Sequence, residues 1–234
     1  MSSRSTLSFL LNKFTMTVKE CYQYIQNRLN KLSTNSNDNL PKFQFVEAFN
    51  ACQTMWIEDR MKFNETNILR IDELQPILIP TTLLDHSKKD NHYLFPLPVD
   101  YLHYKRSYCY VPCLMTIYLK SEGNIGRFLS DNNWKPSLEW GETLATIVNN
   151  NLKVYVDDTF TINQVELVYY RTPRKINMAS GYPDVNGLPT VDVDPEFVGS
   201  SLLEILNLTA RMLAGDTTDQ WNYQTGTDTI TRHT

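Results

Sequence analysis

Residues 43–63, FQFVEAFNACQTMWIEDRMKF, carry the clearest helical period in the chain. Phe45, Phe49, Cys52, Trp56 and Phe63 fall at offsets 0, 4, 7, 11 and 18, with Val46 beside the stripe, while Glu47, Asn50, Gln53, Glu58 and Asp59 point elsewhere. A helix with so aromatic a face has to bury it, and two other helical patterns can supply partners. Thr17-Val18-Lys19-Glu20 is a capping box, after which Val18, Cys21, Ile25, Leu29 and Leu32 recur at helical spacing until the polar run 33–39. Pro41 suits the first turn of the next helix, so these two helices are expected to form an antiparallel hairpin whose facing residues include Ile25, Leu29, Phe49 and Trp56. Near the C-terminus, Asp194-Pro195 reads as an N-cap with a first-turn proline. Val198, Leu202, Ile205, Leu206, Met212 and Leu213 then make a stripe, Arg211 falls in the last turn, and Gly215 is placed to end the helix.

Between these helical ends the pattern is that of strands. Short apolar pieces at 68–71, 77–79 and 83–84 are broken by Pro76 and Pro80, as edge strands or extended segments would be. Residues 99–111 read as a long strand in which alternation places Tyr104, Arg106, Tyr108 and Tyr110 on one face, followed after Pro112 by a strand over 114–119. Residues 121–140 read as loop, and 151–156 and 159–171 as two strands joined by a hairpin turn at Asp157-Asp158. The expected fold is α+β: an antiparallel helical bundle formed by the N- and C-terminal helices, with a β-rich insertion. In domain terms this gives an N-terminal arm (1–16), a helical hairpin (17–63), the β-rich insertion (64–190), a C-terminal helix completing the bundle (191–215) and a flexible tail (216–234).

The chain's chemistry-bearing residues form no catalytic pattern. There is no G-x-S-x-G, no phosphate loop around Gly123 and Gly126, and no histidine in the context of a general base. Cys109 and Cys113 with His103, the group Asp85, His86, Asp90 and His92, and the trio Asp192, Asp194 and Glu196 are of the residue types that ligate metals. None has the spacing of a zinc or calcium site, so no metal, cofactor or catalytic residue is expected. The four cysteines are expected to be reduced thiols. A net charge of −4 argues against a general nucleic-acid binder, though it leaves room for a local basic patch, and no apolar run reaches the roughly 20 residues of a membrane span. Thirteen tyrosines and four tryptophans instead suit protein–protein contact. The expected interface residues are Tyr101, Tyr104, Arg106, Tyr108 and Tyr110, with Phe9 and Phe14 on the N-terminal arm and Trp221 and Tyr223 on the tail.

Five stretches taken in order, IQNRLNK (25–31), FVEAFNACQTMW (45–56), LPVDYLHYKRSY (97–108), LVYYRTP (167–173) and SLLEILNLTARMLAG (201–215), give the chain a family likeness. It resembles the head–tail connector (adaptor or ring) proteins of tailed bacteriophages, most closely the structural ring proteins of crAss-like phages. The extended N-terminal arm and the 121–140 segment depart from that pattern. The resemblance implies a non-enzymatic virion protein of the neck or tail, forming a ring homo-oligomer, commonly twelvefold. It also implies contacts with the portal protein and with other neck and tail rings, DNA only as passing cargo in the exit channel, and no membrane. A tail-hub or minor capsid component, or a tail-associated hydrolase, are the alternatives.

Overall fold

In the computed structural model, residues 15–32, 40–63, 68–111, 113–157, 159–179 and 190–216 are described. The chain divides into two compact units, residues 77–172 and the flanking parts on either side of them, 1–76 with 173–234.

The main element of the fold is an eight-stranded mixed sheet, which lies wholly within 77–172 and curls into a half-barrel. Its strands are β1 (Leu78–Leu83), β2 (Ser87–Lys89), β3 (His92–Pro96), β4 (Tyr101–Val111), β5 (Cys113–Leu119), β6 (Glu142–Val148), β7 (Asn151–Tyr155) and β8 (Val165–Arg171), in the order β1-β8-β4-β5-β6-β7-β3-β2. The expected architecture, a helical bundle carrying a β-rich insertion, is therefore corrected. The short apolar pieces that look irregular in sequence are strands of one continuous sheet, held by partners far away in the chain. β1 pairs with β8, nearly ninety positions later, with Leu78 opposite Tyr170. Pro80 is tolerated because β1 is an edge strand, where one row of backbone N–H groups has no ladder to join.

All neighbouring strands are antiparallel except β5 and β6, which run parallel. A parallel pair needs a crossover of a dozen or more residues. The segment expected as loop, 121–140, is that crossover, and it holds a 3-10 turn (Glu122–Asn124) and the helix α3 (Ile125–Ser130). The hairpin expected at Asp157-Asp158 does not form: β7 pairs with β3 and β6, while β8 pairs with β1 and β4. The connection between them instead fills the concave side of the sheet. Val156, Phe160 and Ile162 join Phe95, Cys109, Met115, Ile117, Val154 and Leu167 in one buried cluster. A smaller cluster on the convex side packs Ile125, Phe128 and Leu129 over Leu144 and Tyr155.

The flanking unit contains the helices α1 (Val18–Leu32), α2 (Lys42–Phe63) and α4 (Gly199–Asp216). The capping box forms: the Thr17 amide donates to Glu20 Oε2 at 2.7 Å and the Glu20 amide to Thr17 Oγ1 at 3.3 Å. Phe45, Phe49, Cys52 and Trp56 are buried along α2. They do not simply face α1. Trp56 packs edge-on to Phe197 with ring centroids 5.1 Å apart and donates from Nε1 to Glu204 on α4, so α4 is the principal partner of α2. Contact between α1 and α2 includes the edge-on pair Tyr22–Phe45.

Asp194 has a different task from the one expected. Helix α4 starts only at Gly199, whose φ of +63° is a left-handed conformation that suits glycine, and Asp194 Oδ1 accepts the Val18 amide at 2.8 Å. It therefore caps α1, satisfying one of that helix's orphan amides across 176 residues of sequence. Gly215 does not end α4, which continues through Asp216.

Candidate interaction surface

The expected face of β4 is divided by two register shifts against β8, one between Tyr101 and His103 and one between Tyr104 and Arg106. Each shift adds a residue to β4 and reverses the direction of the side chains that follow. Tyr101 and Tyr104 consequently turn to the concave side and pack on the main core. The Tyr104 hydroxyl lies 2.9 Å from Ser107 Oγ and donates to the Ile117 carbonyl at 3.0 Å, and Tyr101 stacks on Tyr169. Burial pushes the Tyr101 hydroxyl up to about 12 and raises that of Tyr104. These two tyrosines are partly buried and brace the core side of the sheet.

Arg106, Tyr108 and Tyr110 are on the convex side. Paired residues on neighbouring strands share a face, so the register defines a small grid there. Arg106 is opposite Val168; Tyr108 is opposite Glu166 on one side and Thr116 on the other; Tyr110 is opposite Leu114; and Thr116 is opposite Glu142. The alternate positions Ser107, Cys109, Met115 and Ile117 are buried beneath it. On the grid, Tyr110, Leu114 and Tyr118 are 51%, 53% and 41% exposed, which leaves large apolar side chains of two adjacent strands half in water. The Arg106 guanidinium carbon lies 5.7 Å from the centre of the Tyr108 ring. The Tyr118 hydroxyl donates to Glu142 Oε1 at 3.2 Å, and the negative charge of that carboxylate raises its pKa.

Beside this grid a turn places one more aromatic residue in solvent. Gly141, at φ +64°, takes a left-handed conformation, its amide donates to Leu138 O, and its carbonyl accepts the Thr116 amide at 2.9 Å. The preceding residue, Trp140, is 77% exposed next to β5. Sequence reasoning missed Leu114, Tyr118 and Trp140. The alternation Leu114, Thr116, Tyr118 and the Trp-Gly pair at the start of β6 were the available signals. Phe9, Phe14, Trp221 and Tyr223 lie outside the described residues.

Both edges of the sheet discourage strand addition. Edge β1 contains Pro80, and edge β2 is three exposed residues that include Lys88 and Lys89. The open part of the convex face, over β4 and β5, is thus a more suitable docking surface than either edge.

Several of the candidate metal ligands have other partners. His86 Nδ1 lies 2.9 Å from Leu84 O, with its ring against Tyr93 and Phe95, and His92 Nδ1 lies 2.9 Å from Asn91 Oδ1. Asp192 pairs with Lys19 at 2.7 Å, Asp194 caps α1, and Glu196 receives Arg174 Nε at 2.6 Å. Among the described residues no three His, Cys, Asp or Glu side chains cluster as a metal site would, and no helix is long and apolar enough to cross a membrane. Cys21, Cys52 and Cys109 are buried free thiols and Cys113 is an exposed one. No protein-family model matches this chain, and no curated protein matches its sequence.

Proposed function

We propose that this chain is a non-enzymatic structural subunit that associates with copies of itself, as a ring-forming connector of a tailed-phage neck or tail, and joins portal to tail. The observation that carries the proposal is the exposed strip of Tyr110, Leu114 and Tyr118, beside the partly buried Tyr108, on a sheet whose edges are blocked. A second support is the order of the five stretches that resemble phage connectors. The bundle implied by that likeness is not part of the proposal, which rests on surface chemistry. A head-to-tail contact that closes under rotation gives a ring, and a subunit of net charge −4 would let DNA pass along such a channel without holding it.

The test is size-exclusion chromatography with light-scattering mass, on the chain alone and mixed with portal or tail proteins. The expected species is a closed oligomer, or one that closes when a neighbouring ring is added. A chain that stays monomeric in every mixture overturns the proposal.

A further inference from the structure

We infer that the convex strip on β4 and β5 receives the first fourteen residues of a neighbouring copy, so that each subunit's N-terminal arm docks on the next subunit's sheet. The inference rests on the ring proposal and names the partner of its surface.

The arm and the strip are complementary in two respects. The strip offers Tyr110, Leu114 and Tyr118 half exposed, with Trp140 beside them, and carries the carboxylates Glu166 and Glu142 on the strands flanking Tyr108 and Thr116. On β4 the cations of this face are Arg106, over the ring of Tyr108, and Lys105, over the ring of Tyr170. The arm, MSSRSTLSFLLNKF, has Leu7, Phe9, Leu10, Leu11 and Phe14 for an apolar surface, and Arg4 and Lys13 with no acidic residue for carboxylates. Apolar side chains can fill the strip while the two cations meet the two acids, an arrangement that favours encounter and register.

Length permits the exchange. Fourteen extended residues reach about 46 Å, whereas a small domain is about 30 Å across. The four adjacent strands from Glu166 on β8 to Glu142 on β6 span only about 14 Å, so a few arm residues cover the strip and the rest bridge the subunits.

Photo-crosslinking of the full chain decides the matter. The photoreactive p-benzoylphenylalanine replaces Phe9, isotopically heavy and light copies are mixed, and crosslinked peptides are mapped by mass spectrometry while light scattering reports the mass of the same sample. The expected products join the arm to residues 106–118 or 138–142 and include heavy–light pairs. With Glu142→Lys and Glu166→Lys together, their yield falls about tenfold as the contacts of exposed Glu142 and half-buried Glu166 reverse sign. Crosslinks confined to one copy, crosslinks to another surface, or an unchanged yield in the charge-reversed chain each overturn the inference. An oligomer of ring mass with its crosslinks elsewhere leaves the ring proposal standing without this contact. A monomer in all mixtures removes the ring itself.

Discussion

Leu114 and Met115 are adjacent on β5 yet face opposite sides, and substituting each in turn separates folding from association. Leu114 is 53% exposed and its partner Tyr110 51%, so folding withdraws only about half of either side chain from water. Full burial of such a side chain is worth about 2–3 kcal/mol, and Leu114→Ser with Tyr110→Ser should therefore cost the isolated subunit about 2–3 kcal/mol in total. Burial of the remaining halves against a neighbour would contribute about 2 kcal/mol per contact, so the same double variant should raise the dissociation constant of each contact about thirtyfold. Met115 is fully buried, and Met115→Ala should cost the fold about 2–5 kcal/mol. At about 2–4 °C per kcal/mol for a chain of this size, its melting temperature should fall by about 4–20 °C. Thermal melting by circular dichroism reads the first effect, and light-scattering mass over a range of concentrations reads the second. If Met115→Ala melts like the parent, the faces have been assigned the wrong way round. If the serine pair shifts the assembly midpoint less than about threefold, the strip is not the contact.

Asp194→Ala should lower stability by about 1–2 kcal/mol, because the part-buried Val18 amide loses its acceptor; Asp194→Asn should recover most of it, and thermal melting distinguishes the two. Acid should loosen the start of α1: the Thr17 amide and then its hydroxyl hold the Glu20 carboxyl below its ordinary 4.5, so the stabilisation is present above that value and is lost as pH falls through the lower folded value. Circular dichroism between pH 6 and pH 2 should accordingly show Glu20→Gln to be less acid-sensitive than the parent. Of the four thiols, only Cys113 should react promptly with a colorimetric disulfide reagent at pH 8. Burial pushes Cys21 and Cys109 up to about 12 and raises Cys52, and rapid labelling of any of those three in the native protein would contradict their placement.

What the sequence disclosed was mainly local. The Thr17–Glu20 capping box and the buried stripe of α2 depend on residues within a few turns of one another, and both are present in the structure. The sheet depends on pairings such as Leu78 with Tyr170, which leave no periodic trace, and its short strands looked like fragments between prolines. Asp194 looked like a cap because it is one, but the helix it caps begins at Val18. On β4, simple alternation joined Tyr104 to Arg106, Tyr108 and Tyr110. The bulge between Tyr104 and Arg106 comes from pairing with β8, and nothing in the strand's own pattern marks it. Tyr101 and Tyr104, two of the five residues expected on the β4 surface, therefore lie partly buried on the core side, while the adjoining strand's Leu114 and Tyr118 were not among the expected residues.

The pairing of β1 with β8 also fixes where this unit's two ends emerge. Its first and last strands are neighbours at one margin, with Leu78 directly across from Tyr170, and such opposed residues have Cα atoms about 5 Å apart. Residues 77–172 therefore enter and leave through a single narrow doorway. A stretch closed in that way can be excised and its ends sealed with a few glycines, or spliced as a cassette into any surface turn of a host protein, without stretching either partner's backbone.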